Sequence, residues 1–133
     1  MLPFSEAKRG DWVRINFDDE IQDGEIVNVN LDEGQIGVQT TSGNTIFCTQ
    51  EQVNGIPLDD EQLKKLRFER EVMPEGFIKY KHGPFRLVIE RPGDFTHSKI
   101  WYREDKRQIN YPLMVHQLQN HYRNMTNVEL TET

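Results

Sequence analysis

Between Asp11 and Gln50 the chain alternates apolar and polar residues, and turn formers interrupt the alternation at short intervals. A strand sends successive side chains to opposite faces, so this pattern predicts half-buried strands rather than helix. In "DWVRINF", Val13, Ile15 and Phe17 share one face and Trp12, Arg14 and Asn16 the other. Residues 18–24 read as a polar loop or short hairpin tip. "GEIVNVNL" then sets Val27, Val29 and Leu31 on one face, and "QIGVQT" continues with Ile36, Val38 and Thr40. "DEG" at 32–34 and "TSGN" at 41–44 are turn signals, because glycine takes the positive φ of a tight turn without steric cost. Four or five short strands of this kind predict a small antiparallel barrel or meander.

The period changes after "IPL". Asp59, followed three residues later by Gln62, has the spacing of a helix N-terminal capping box, with Asp59 or Asp60 as the acceptor. Leu63, Leu66 and Phe68 face inward, and Pro74 and Gly76 stop the helix. Strand-like alternation returns in "GFIKYKHG", "PFRLVIER" and "SKIWYRE", with Gly83-Pro84 as one turn and 105–107 as another, before a short strand "QINY". A final helix is expected over residues 111–126, capped by Asn110 and with Pro112 in its first turn. Its stripe is Tyr111, Val115, Leu118, Tyr122 and Met125, spaced for docking on the sheet of residues 76–104. Its opposite side carries Gln119, Asn120 and Arg123, expected to be exposed: either a wet helix face or a recognition surface. The expected architecture is therefore α+β. Residues 1–57 form a small antiparallel β-barrel. Residues 58–133 form a lobe with a linking helix, an antiparallel sheet of three to four strands and the C-terminal helix.

Charge is unevenly spread. Residues 1–61 hold 3 Lys+Arg against 13 Asp+Glu, net −10, and residues 62–133 hold 13 against 9, net +4. The acidic front half argues against a protein wrapped in nucleic acid, since phosphate contacts dominate such affinity; a local basic patch in the back half stays open. There is one cysteine, Cys48, which excludes an internal disulfide and suits a reducing compartment. Apolar runs are short and the first residues lack a signal pattern, so the expected location is cytoplasmic, with no membrane partner.

The sequence lacks the motifs that catalysis usually announces. His82, His97, His116 and His121 lack zinc-ligand spacing, and there is no phosphate loop or nucleophile elbow. Carboxylates cluster in turns, which reads as solvated surface. No enzyme, metal, cofactor or small-molecule substrate is expected. One constellation carries binding chemistry: Lys79, Lys81, Arg86, Lys99, Trp101, Arg103, Lys106 and Arg107 fall on adjacent candidate strands, with Tyr80, His82 and Tyr102 among them. Aromatic groups that stack bases, flanked by cations on a sheet, hold many single-stranded nucleic acids. The plainer reading is that half of these aromatics face the core and the cations form an ordinary edge and outer face.

Two resemblances accompany these readings. "GDWVRINF" followed by "GEIVNVN" resembles the opening strands of SH3-like small barrels, over residues 8–57. "VHQLQNHYRNMTNVEL" resembles the C-terminal signature of a family of small uncharacterised proteins of Bacteroidetes genomes, prophages and mobile elements. Val115 to Asn120 and Tyr122 match in place, His121 replaces a usual leucine, and Ile56-Pro57-Leu58 precedes an acidic helix start as in that family. That resemblance implies shared architecture and mobile-element ancestry, and no activity. Two functions are expected. The first is a non-catalytic module of phage or mobile-element type, acting through contacts with a protein partner or another copy. The second is nucleic-acid binding through the basic aromatic hairpin.

Overall fold

A computed structural model of the chain describes residues 1–130. It is mostly β, with two five-stranded antiparallel sheets, a short helix and a C-terminal helix. Two compact units divide it: Met1–Ile56 with Val115–Asn120, and Pro57–Met114 with the chain from His121 onward.

In the first unit, strands β1 (Trp12–Phe17), β2 (Glu20–Asn30), β3 (Gln35–Thr40), β4 (Thr45–Cys48) and β5 (Val53–Asn54) take the order β4-β3-β2-β1-β5. Its buried apolar cluster includes Val13, Ile15, Ile26, Ile36, Val38, Cys48 and Val53. The edge strands β4 and β5 do not pair, so the sheet is open and the expected closed barrel is corrected. β5 contributes only two ladder residues, Val53 and Asn54, both opposite β1.

Two local features shift the expected strands. Residues 18–24 are not a loop. Asp18 and Asp19, both at positive φ (53° and 62°), make a two-residue hairpin, and Phe17 pairs with Glu20. A turn with both central residues at positive φ matches the twist of its flanking strands, so β2 begins at once. Further along, the β2–β3 register slips between Ile26 and Asn28. Ahead of this bulge Ile26 is the core residue and Val27 is half-buried; past it Val29 packs against the core as expected, and Leu31, in the turn beyond β2, is 68% exposed.

The C-terminal helix α2 runs Val115–Thr126, shorter than expected. Asn110 and Pro112 lie ahead of it and neither caps nor opens it, and Tyr111 is exposed. Val115 N–H donates instead to the Ile56 carbonyl at 2.8 Å. Val115, Leu118 and Tyr122 are buried, but Val115 and Leu118 belong to the first unit rather than to the sheet of residues 76–104.

Gln119 overturns the exposed-face expectation: it is 1% exposed. Its Oε1 accepts from Trp12 N–H at 2.8 Å, and its Nε2 donates to the Gly10 carbonyl at 3.1 Å. The side-chain amide thus completes the backbone of the Gly10-Asp11 step, which Ile26 brackets through Gly10 N–H to Ile26 O and Ile26 N–H to Asp11 O, both 2.8 Å. Beside it the buried His116 meets Glu6, Nε2 to Oε1 at 2.8 Å.

In the second unit, α1 (Asp60–Lys65) begins at the expected cap, where Asp59 Oδ1 accepts from Gln62 N–H at 2.8 Å. Leu63, Leu66 and Phe68 are buried as expected. Strands β6 (Glu69–Val72), β7 (Ile78–His82), β8 (Phe85–Ile89), β9 (Ser98–Tyr102) and β10 (Asp105–Ile109) follow in the sheet order β10-β9-β8-β7-β6. Five strands replace the expected three to four. β6 escapes a periodicity reading because none of its four residues is buried; its place comes from pairing alone. The last hairpin turns at Arg103-Glu104, not at 105–107, since Tyr102 pairs with Asp105.

Tyr80 anchors the buried face of this sheet at 2% exposure, its hydroxyl donating to Asp60 Oδ1 at 2.8 Å. Burial first, and then the bond to the Asp60 carboxylate, push its phenol up to about 12, against a partial lowering by Arg70.

Two stability predictions follow from these contacts. Gln119→Ala strands a backbone donor and a backbone acceptor and should cost about 2–4 kcal/mol in urea unfolding. Tyr80 has a folded pKa above its unfolded one, so its contribution is fully present below about pH 10 and is lost as pH rises toward 12. About 2–3 kcal/mol should disappear across that window, and Tyr80→Phe should flatten the decline.

Candidate nucleic-acid interface

Register decides which side chains of the second sheet share a face. Ile78, Tyr80, Phe85, Leu87, Ile89, Ile100 and Ile109 are buried and occupy one face. The other face carries two rows running across the strands. One row is Glu71, Lys79, Val88, Lys99 and Gln108. The other is Glu69, Lys81, Arg86, Trp101 and Lys106. Five cations therefore share the outer face with Trp101, which is 38% exposed.

Two acids sit at one margin. Glu69 and Glu71 are both on the edge strand β6, and Lys81 Nζ reaches Glu71 Oε1 at 3.2 Å. Toward β8, β9 and β10 the two rows carry cations, an amide, valine and tryptophan, and Glu90, just past β8, lines a hollow with Lys79, Lys99 and Trp101. Lys81 stands directly opposite Arg86, an arrangement that destabilises an antiparallel pair. Arg86 is held in place by its own hairpin: Nη1 donates to the carbonyls of Gly83 and Phe85. Lys106 Nζ lies over the Trp101 ring, 4.5 Å from its centre, and orients the indole.

Trp101 is the meeting point of three shallow hollows. One, of about 350 Å³, has Phe77, Val88 and Trp101 as walls, with Lys79, Glu90, Lys99 and Gln108 among its polar groups. A second, of about 340 Å³, lies between Trp101, Lys79, Pro84, Arg86 and Arg103. A third, of about 400 Å³, follows Lys99, Trp101, Lys106, Arg107 and Gln108 along the β9–β10 edge.

The sequence-derived residues divide cleanly. Lys79, Lys81, Arg86, Lys99, Trp101 and Lys106 are brought together on this face. Arg103 sits at the hairpin turn with φ 57°, its guanidinium 5.1 Å from the Tyr102 ring centre, and reaches the margin of the same surface. Arg107 touches this surface only as part of the lining of the third hollow. Pairing opposite Ile100 turns Arg107 to the buried face, where Nη1 lies 3.0 Å from His121 Nδ1 and Nη2 donates to Asp105 at 3.4 Å. Burial, and then the Arg107 charge, hold His121 below the usual histidine range. Tyr80, His82 and Tyr102 are also on the buried side; His82 and Tyr122 meet edge to face at 5.4 Å between centres. Phe77, Val88 and Gln108 were not singled out in the sequence, because only the register reveals that they flank Trp101.

The helix residues form no comparable surface. Gln119 is buried, Asn120 is half-buried with Nδ2 donating to the Glu6 carbonyl at 3.5 Å, and Arg123 forks onto Glu129 at 2.7 and 2.9 Å. The buried Cys48 has its thiol pushed up by burial, away from thiolate chemistry. Among the described residues no three His, Cys, Asp or Glu side chains are placed to hold a metal ion, and no helix is long and apolar enough to cross a membrane. No protein-family model, curated protein or solved structure matches the chain.

Lys99 is an exposed member of this cationic face. Lys99→Gln should therefore leave the thermal unfolding free energy within about 0.5 kcal/mol or raise it.

Proposed function

We propose that this protein is a non-catalytic binding module that holds a single-stranded nucleic acid on the outer face of its second sheet. The observation that carries the reading is the grouping of Lys79, Lys81, Arg86, Lys99 and Lys106 around the half-exposed Trp101. Cations placed across from one another oppose folding, and a polyanion relieves that repulsion. With Lys106 over one face of the indole, the opposite face is left to stack a base. Hollows on either side of the ring suit a flexible strand better than a rigid duplex.

A second reading rests on a separate observation, the split between the acidic front of the chain and its basic back. An acidic first unit of one copy would complement the basic face of another, giving protein contacts that depend on charge. Self-association that weakens with added salt, seen by sedimentation, supports this reading; a monomer at low salt removes it.

Two architectural proposals accompany the function. The strand order β4-β3-β2-β1-β5, with a turn of 3-10 helix at Gln50–Gln52 ahead of β5, supports an SH3-like topology for the first unit. The Val115–Asn120 segment supports kinship with the small mobile-element proteins it resembles, and the Gln119 amide clamp gives that segment a structural purpose. A buried, unpaired Cys48 suits a cytoplasmic setting.

The test is direct titration of short single-stranded DNA and RNA by fluorescence anisotropy. Trp101→Ala should weaken binding by about tenfold, in line with the loss of one stacked base. Lys99→Gln should lower affinity for all sequences alike and reduce the salt slope by roughly 0.7. Absence of binding to any single strand at low salt sinks the reading.

A further inference from the structure

Glu69, Lys81 and Arg86 of the Trp101 row border a hollow of about 460 Å³ at the Gly83 end of the sheet, which Arg67, His82 and Gly83 also bound. We propose that this hollow is a subsite for a phosphate monoester, the terminal phosphate of a nucleic-acid strand laid across the sheet. The inference rests on the proposed nucleic-acid reading for the identity of the strand, but the anion chemistry of the hollow stands on its own residues.

Arg67, Lys81 and Arg86 converge there against Glu69 in the lining and Glu71, which pairs with Lys81 at 3.2 Å. Arg86 arrives pre-oriented, since the Gly83 and Phe85 carbonyls fix its Nη1. A terminal phosphate carries up to two charges near neutrality and several strong acceptor oxygens, which planar guanidinium groups match well. An internal phosphodiester carries only one charge and fewer free oxygens.

The independent observation is the backbone at Arg67. It follows α1 at φ 69°, in the left-handed region, with Arg67 N–H donating to Lys64 O and Phe68 N–H to Leu63 O, both at 3.0 Å. This is the helix-ending turn at which glycine is the usual residue, because a Cβ there is sterically costly. The chain places a long cation at this strained position, and its side chain borders the hollow. Backbone strain of this kind gathers at binding sites, and here it lies at the rim of the cationic hollow.

Position agrees with the occupant. Lys81, Arg86 and Trp101 are successive cross-strand neighbours. Two strand spacings separate Lys81 from Trp101, roughly 10 Å. At about 3.4 Å per stacked nucleotide, or more when extended, a strand anchored by its end phosphate puts a base on Trp101 within its first few nucleotides.

The experiment compares oligothymidylates bearing a 5′-phosphate, a 3′-phosphate or hydroxyls at both ends, in anisotropy titrations with the full chain. One phosphorylated form should bind about tenfold tighter than the hydroxyl form. Arg67→Gly should erase that preference while leaving the thermal midpoint unchanged or higher, since glycine relieves the turn. Glu69→Gln should widen the preference. Equal binding of all three strands, with Trp101→Ala still weakening each, overturns the subsite and spares the broader reading. A preference that survives Arg67→Gly overturns the assignment to this hollow. If no strand binds, inorganic phosphate decides: a raised thermal midpoint in the parent but not in Arg67→Gly supports the subsite, and no shift rejects it.

Discussion

A strand can send each side chain to only one of two faces, and the second sheet of this protein is organised by that constraint. Once Ile78, Tyr80, Leu87 and Ile100 are committed to the buried side, their neighbours Lys79, Lys81, Arg86, Lys99 and Trp101 have nowhere to go but outward. The apolar residues drive the choice, because each fully buried aliphatic or aromatic side chain contributes roughly 1.5–3 kcal/mol. The cations follow passively. Their crowding is a consequence of the core's register, yet their identity is not: glutamate or threonine would satisfy the same outward positions without mutual repulsion.

The first unit depends on a different device. Its sheet is open at both edges, and the Gly10-Asp11 step that introduces β1 needs partners for its backbone. Gln119 supplies two of them from a helix more than a hundred residues later in the chain, Ile26 supplies two more, and the Lys8 carbonyl accepts from Asp11 N–H. A buried amide is worth keeping only if both of its ends are used, since an unsatisfied buried polar group costs more than a made bond returns. This explains why an amide-rich helix that reads as a wet surface is instead part of the framework. It also takes Gln119 out of the exposed helix face to which the sequence pattern assigned it.

These two features assign the roles of the polar residues. Gln119, His116 and Tyr80 are polar groups spent on architecture, each paired with a specific partner inside its unit. Lys79, Lys99 and Lys106 make no comparable structural bond and stand beside hollows that meet at Trp101. Arg67 stands between the two groups: it ends α1 at a positive φ that glycine would take at less cost, and its side chain borders the hollow beside Lys81 and Arg86.

Much of the local structure was legible in the sequence alone. Alternation located β1, β3, β7, β8 and β9, and the Asp59 cap and the Leu63–Leu66 face located α1, because these signals depend only on neighbours along the chain. The basic aromatic cluster was also visible, since its members lie on adjacent strands. What tertiary structure alone decided were the features set by pairing. The bulge at Val27 turned Ile26 inward while Val29 kept its expected side, the Asp18-Asp19 turn joined two strands without a glycine, and β6 formed with no buried residue of its own. The shift of the last turn to Arg103-Glu104 separated Lys106 from Arg107, sending one to the proposed interface and the other to His121. Periodicity could not reveal Gln119 either. Whether an amide is wet or buried depends on the backbone groups brought to it, and those lie at the far end of the chain.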